Sequence, residues 1–128
     1  MKTEVATAIE ELQRQFSAAV FKVRDDGQGG AYIVMDRVCL GARFQPEKTW
    51  VGFHIPAQYP YADIYPVFIG GEVTRVDGRP FSAPVTPGHN FEGRPAIQVS
   101  RRSGVAQNGL QKATAKILKV LDFLEKMP

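Results

Sequence analysis

The side chains that could do chemistry are few, and most of them lie in the second half of the sequence. His89 and Asn90 are adjacent there, and Ser100 follows further along. A histidine–asparagine pair could order a loop or donate hydrogen bonds to a developing oxyanion. A buried structural histidine and a turn-forming asparagine explain the same residues. No G-x-S-x-G elbow surrounds Ser100, so a serine hydrolase is not expected.

Cys39 is the only cysteine, so neither an intramolecular disulfide nor a cysteine-rich metal site is expected. It lies between Val38 and Leu40 in a strand-like stretch, with no histidine nearby in the sequence. Free cysteines usually behave as small hydrophobes, whereas an activated thiolate needs an electropositive, partly exposed environment. The sequence therefore predicts an inert Cys39.

No cofactor or metal is expected either. The two histidines and the scattered carboxylates show no paired ligand spacing. The glycine clusters "GQGG" and "IGGE" lack the lysine and hydroxyl residue of a phosphate-binding loop, so plain turns are predicted.

The composition is that of one soluble domain spanning residues 1–128. The hydrophobic fraction is 44% and the charged fraction 23%. The net charge is +3, and the basic residues are spread along the chain, with Arg101-Arg102 as the only adjacent pair. That distribution favours a solvated surface over nucleic-acid binding. Because no segment approaches the roughly 18 apolar residues of a membrane span and the N-terminus does not resemble a signal peptide, a cytoplasmic protein without membrane contact is expected.

Hydrophobic periodicity predicts two helices and a sheet. Apolar residues at helical spacing indicate a helix from about Thr3 to Ser17. Alternating stretches then predict a four-stranded antiparallel meander: "AAVFKVR", "AYIVMDRVCLGARF", "TWVGFHI" and "YPVFIGGEV". Residues 77–109 are rich in Gly, Pro and Ser, and are read as a long irregular segment with one short strand at "AIQVS".

A C-terminal helix is predicted to follow an N-cap at Asn108, with Gln111 completing a capping box. Strands and helices are segregated along the chain, which argues for an α+β domain whose helices cover one sheet face.

One stretch, "IPAQYPYADIYPVF", resembles the F-P-x-x-Y-P-x-x-P-P segment of the ubiquitin-conjugating enzyme (E2, or UBC-like) superfamily. Ile55-Pro56 stands for the F-P, Tyr59-Pro60 for the Y-P, and Pro66 for the last proline, with one residue inserted. The predicted element order also resembles that family. The resemblance implies that Tyr59, Pro60, Tyr61 and Pro66 form a fold signature and a possible partner surface.

In E2 enzymes an H-P-N motif and then the catalytic cysteine follow that segment. The best match here is His89 and Asn90, which places Gln98, within a residue or two, at the cysteine position, with Ser100 the nearest hydroxyl. Residues 61–128 contain no cysteine. A thioester carrier needs a strong nucleophile that is also a good leaving group; glutamine is neither, and serine would form a stable ester. The resemblance thus implies a degenerate active-site region: His89, Asn90, Gln98, Ser100 and Arg101.

The chain therefore resembles E2-like proteins that lack E2 chemistry, namely the ubiquitin E2 variants and the RWD domains. It also resembles bacterial E2-like proteins that are encoded beside ubiquitin-like modifiers, and this second resemblance implies a role in bacterial defence. The function implied is a non-catalytic adaptor that binds a ubiquitin-like protein, an E1-like enzyme or an active E2. Two alternatives stay open. One is an active conjugating enzyme that uses Cys39, and the other is a structural or assembly module. The oligomeric state is open as well.

Overall fold

The protein combines two helices with eight strands in a computed structural model that describes residues 1–102 and 112–128. In chain order the elements are α1 (Thr3–Gln15), β1 (Val20–Asp25), β2 (Ala31–Cys39), β3 (Phe44–Gln45), β4 (Lys48–Ile55), β5 (Val67–Gly70), β6 (Thr74–Arg75), β7 (Val85–Phe91), β8 (Arg94–Val99) and α2 (Ala113–Lys126). The predicted α+β class is confirmed. No helix in these two described ranges is long and apolar enough to cross a bilayer.

Six strands form one antiparallel sheet in the order β1-β2-β4-β5-β8-β7. The four strands predicted as a meander, β1, β2, β4 and β5, are neighbours in this sheet. The short strands β3 and β6 pair separately as a two-stranded ribbon.

Both helices pack against one face of the sheet, here called the helix-covered face. Alternate strand residues point to that face because the side-chain period of a strand is two. α1 contributes Val5, Ala8 and Leu12, and α2 contributes Ile117, Val120 and Leu124. The sheet side of this core is lined by Ile33, Met35, Val51, Phe53, Ile55, Val67, Ile69, Ile97 and Val99. These side chains are almost wholly aliphatic and buried.

The two helices differ in how well periodicity located them. α1 begins at Thr3, as predicted, and ends at Gln15. α2 begins only at Ala113, because Lys112 has an extended backbone with φ −127° and ψ 119° and so stands at the N-cap. The predicted N-cap Asn108 and its partner Gln111 lie outside the described residues.

The short strand predicted at residues 96–100 is confirmed, because β8 spans Arg94–Val99. The prediction of irregular structure is wrong for residues 85–95, which form β7, the turn and the start of β8 in a hairpin. β8 also pairs with β5, so the hairpin extends the sheet. Proline and glycine suggested a loop, but β7 is an edge strand whose register shifts between Thr86 and His89, where Pro87 and Gly88 lie. Edge strands and bulges are the places where a sheet accommodates such residues.

Candidate functional site

The residues predicted to form a degenerate active site lie in or just after the β7–β8 hairpin, but only some of them interact. Gln98 lies in β8 between β5 and the edge strand β7, and its Nε2 donates to Ser100 Oγ at 2.6 Å. His89 Nε2 lies 3.2 Å from Thr86 Oγ1. His89 and Asn90 are consecutive strand residues and so point to opposite sides of the sheet. They therefore do not act as the joint pair that the sequence suggested.

Arg101, the remaining residue of that predicted set, contacts α2. Its guanidinium carbon lies 4.5 Å from the ring centre of Phe123. Its carbonyl oxygen accepts a hydrogen bond from Lys116 Nζ at 2.6 Å. Arg101 thus belongs to the surface beside α2, rather than to a site with His89 or Asn90.

Tyr59 joins the Y-P segment, residues 55–66, to the start of α2. Its side chain is buried, and its hydroxyl oxygen accepts a hydrogen bond from the backbone N–H of Ala113 at 3.1 Å. The first N–H groups of a helix have no partner within the helix. Since Lys112 provides no side-chain cap, the Tyr59 hydroxyl satisfies one of these groups and fixes the segment against the helix.

Lys116 makes a second link between the same two elements. Only 6% of this lysine is exposed, and its Nζ lies 3.2 Å from Asp63 of the Y-P segment. A lysine is rarely buried to this extent without a charged partner. The sequence analysis did not single out Lys116, although it lies one residue from Ile117 in the apolar stripe of α2, which could have drawn attention to it.

Tyr61 behaves differently from Tyr59. It is 80% exposed, whereas Tyr59 is buried. Pro60 and Pro66 are half-buried. A groove of about 260 Å³ lies between α1 and the Y-P segment, and its lining combines acidic and aromatic groups: Thr3, Glu4, Thr7, Glu11, Tyr59, Pro60 and Lys112. The signature residues thus provide both an anchor and a surface.

The sheet face opposite the helices, here called the outer face, carries a small aromatic cluster. The Phe91 ring lies directly over Gly52, where a Cβ atom would come within 2.7 Å of the ring. Phe68 and Trp50 stack beside Phe91, with ring centres 4.8 Å and 6.3 Å away. Phe91 and Trp50 are both buried. Glycine at position 52 therefore creates the hollow that the hairpin residue fills.

Two ion pairs hold the hairpin tip across the outer face. Arg24 of β1 forms a two-pronged pair with Glu92 at 2.8 Å and 3.0 Å, and Arg94 lies 3.2 Å from Asp36 of β2. β1 and β7 are opposite edges of the sheet, so the first pair shows that the tip reaches over the intervening strands. The hydrogen bond that Arg24 donates to Glu92 raises the pKa of the Arg24 guanidinium above its ordinary value.

A cleft of about 370 Å³ remains between β1, β2 and the hairpin tip. Its charged lining consists of Lys22, Arg24, Glu92 and Arg94, with Tyr32 as its aromatic wall. Two of these cations already have carboxylate partners, so the cleft has little uncompensated charge.

Asp26 and His54 form a pair on the outer face that the sequence analysis did not find. His54 Nε2 donates to Asp26 Oδ2 at 2.7 Å, while Asp26 Oδ1 accepts from the N–H groups of Gln28 and Gly30. The histidine bond, then the backbone bonds, lower the pKa of Asp26. The His54 ring also stacks on Tyr32, with ring centres 4.5 Å apart.

An aspartate–histidine pair of this kind could serve as a general base, but it needs a nucleophile. Among the described side chains, none with a hydroxyl or thiol hydrogen-bonds to His54. The pair instead fastens the β1–β2 turn to β4. In the sequence, only the Asp26-Gly27 turn could have indicated this contact.

Cys39 is exposed at the end of β2, where it is paired with Lys48. It lines a cleft of about 350 Å³ that also contains Arg37 and Lys48. Its neighbours Val38 and Leu40 are both buried, and the expectation that Cys39 is inert stays a prediction.

Metal ligands are not gathered anywhere in residues 1–102 or 112–128: no three of the His, Cys, Asp and Glu side chains there could hold an ion together. Comparison with known proteins adds no relative, since no family model, no curated protein and no solved structure matches the chain. The function must therefore be argued from the surfaces described above.

Proposed function

We propose that this domain is a non-catalytic E2-like adaptor of a ubiquitin-like modification pathway in the cytoplasm. Its partner would be a ubiquitin-like protein, an E1-like enzyme or an active E2. The observation that carries the proposal is Tyr61, an aromatic side chain that is 80% exposed on a segment whose neighbour Tyr59 is anchored.

An exposed tyrosine on a fixed backbone suits protein binding. Aromatic residues are enriched at protein interfaces, and they dominate binding energy where they fill a partner's pocket. Tyr59 and the Asp63–Lys116 pair hold the Y-P segment in place on either side of Tyr61. Little ordering of the backbone would accompany binding, which favours affinity.

The region resembling an E2 active site supports the absence of thioester chemistry. Residues 61–128 contain no cysteine. Gln98 lies within β8, and its side-chain amide donates a hydrogen bond to the hydroxyl of Ser100. A carboxamide in a sheet offers no nucleophile of the kind that acyl transfer needs.

The proposal is tested by titrating the ¹⁵N-labelled protein with ubiquitin-like proteins, E1-like enzymes and E2 enzymes, and by following amide shifts. We expect one partner to shift resonances of residues 57–63. Tyr61→Ala should weaken that binding about tenfold or more, as loss of a central aromatic contact does. Val76→Ala is the matched control, because Val76 is also apolar and more than half exposed but lies elsewhere. If no partner shifts any surface, the structural or assembly module becomes the better hypothesis.

The second candidate function, conjugation through Cys39, has one observation in its favour. Cys39 is exposed and lines a cleft with Arg37 and Lys48, so its thiol is accessible to a protein partner. Incubation with an E1-like enzyme, ATP and the modifier should leave the adaptor without a reductant-sensitive adduct. An adduct that disappears in Cys39→Ser would replace the adaptor with an active conjugating enzyme.

A further inference from the structure

The net positive charge of the chain comes from one segment of the sequence. Residues 93–121 contain no acidic residue and six basic ones: Arg94, Arg101, Arg102, Lys112, Lys116 and Lys119. The rest of the chain has ten basic and thirteen acidic residues. Basic residues do occur along the whole chain, but acidic ones are absent from this segment, so the whole net positive charge comes from it.

Two of these cations are held on aromatic rings. The guanidinium carbon of Arg101 lies 4.5 Å from the ring centre of Phe123, and that of Arg102 lies 4.0 Å from the ring centre of Tyr65. Both arginines are exposed. Stacking restrains the planar guanidinium and leaves its N–H edges free to bind a carboxylate with two parallel hydrogen bonds.

Neither stacked guanidinium is neutralised by an acid of its own chain. Arg24, Arg75 and Arg94 each form an ion pair with a carboxylate. Within residues 1–102 and 112–128, Arg101 and Arg102 have no such pair, and residues 103–111 contain no Asp or Glu. Arg101 and Arg102 therefore present guanidinium groups whose positions are restrained and whose charges no carboxylate of the described residues neutralises.

Lys119 adds a third charge to the same surface. It is exposed on α2 and lies four residues before Phe123, a spacing that places the two on one side of the helix. We propose that Arg101, Arg102 and Lys119 form a docking surface for an acidic polypeptide segment. This goes beyond the adaptor function, because it requires no ubiquitin-like partner.

The observations favour a short acidic peptide over a nucleic acid. Single-stranded nucleic acids bind through bases stacked on open aromatic faces along an extended basic track. Here the faces of Phe123 and Tyr65 are occupied by arginines. Outside residues 93–121 the chain is net negative, so a long polyanion would be repelled beyond the patch.

The test is fluorescence anisotropy with a fluorescein-labelled peptide of six glutamates at low salt. We expect the unmodified protein to bind the peptide saturably. The double variant Arg101→Gln/Arg102→Gln should bind about tenfold more weakly, the loss in affinity expected when two exposed ion pairs are removed. The control, Arg14→Gln/Arg79→Gln, removes the same charge elsewhere and should change the affinity less than about twofold. Arg102→Lys should also weaken binding, because lysine keeps the charge but loses the planar, two-pronged geometry.

Four results would overturn the proposal: no binding by the unmodified protein, equal losses in both double variants, full binding by Arg102→Lys, or tighter binding of a single-stranded oligonucleotide with six phosphates. Thermal melts by circular dichroism verify that each variant is folded. Should the double variant fail to fold, Arg102→Gln alone carries the comparison.

Discussion

The two faces of the sheet are covered in different ways. On the helix-covered face, aliphatic side chains of two helices pack over buried residues from five of the six strands. On the outer face, the tip of one hairpin covers a smaller, largely aromatic cluster centred on Phe91. Ion pairs at its rim, such as Arg24–Glu92, supply the rest of the attachment.

This contrast indicates where the domain can open. Regions with few buried apolar contacts and exposed polar contacts open locally at a lower free energy than the main core. The helix-covered face should therefore unfold only with the whole domain, whereas the hairpin tip should be able to detach from the outer face. Four experiments test how the two sides of the sheet are held.

The largest effect is expected on the helix-covered face, for Phe53→Ala. Phe53 is completely buried, and truncation of a buried phenylalanine usually lowers the free energy of unfolding by about 3–5 kcal/mol. Urea denaturation followed by circular dichroism measures the change. A loss below about 1 kcal/mol would contradict the assignment of this face as the main core.

On the outer face, Gly52→Ala should destabilise by about 1–3 kcal/mol, the usual cost of overpacking. The added methyl group would meet the Phe91 ring at 2.7 Å and Trp50 at 2.9 Å. In a Phe91→Ala background the same substitution should cost less, because the ring is gone. The double-mutant cycle measures this coupling, and simple additivity would mean that Phe91 does not rest on Gly52.

A smaller effect is expected for Tyr59→Phe, which keeps the ring and removes only the hydroxyl. The N–H of Ala113 would lose its acceptor, at a cost of about 1 kcal/mol. Hydrogen exchange at the first turn of α2 should accelerate along with the loss of stability. Unchanged exchange there would argue against the capping role.

The smallest expected effect is the pH dependence of stability that comes from the Asp26 carboxyl group. Its pKa in the folded protein lies below the ordinary value of 3.8, chiefly because of the His54 hydrogen bond and then the backbone bonds of the turn. A lowered pKa means that the stabilisation is complete above about pH 4 and is lost as the pH falls through the folded value. NMR titration of the Asp26 carboxyl should give a midpoint below 3.8, which His54→Ala raises. A midpoint unchanged by His54→Ala would remove the histidine as the main cause.

The candidate site was predicted only in part. The resemblance of the Y-P segment singled out Tyr59, whose anchoring role at α2 the structure shows. The same resemblance singled out Gln98 and Ser100, which hydrogen-bond to one another, while their place in a degenerate active site stays a prediction. The adjacency of His89 and Asn90 in the sequence was misleading, because a strand sends consecutive side chains to opposite faces. The stacked arginines depended on Tyr65 and Phe123, whose positions no local pattern reveals.

The amino-acid sequence by itself determined the α+β class, the start of α1 and the strands β1, β2, β4 and β5, because hydrophobic periods of 3.6 and 2 are local properties. Other features came from contacts between distant residues. β8 joins the sheet by pairing with β5, Phe91 rests on Gly52, and Arg24 reaches Glu92, 68 residues away. Local composition favoured a loop with one short strand over residues 77–109, but pairing with β5 and burial on the outer face outweigh that preference and hold residues 85–99 as a hairpin.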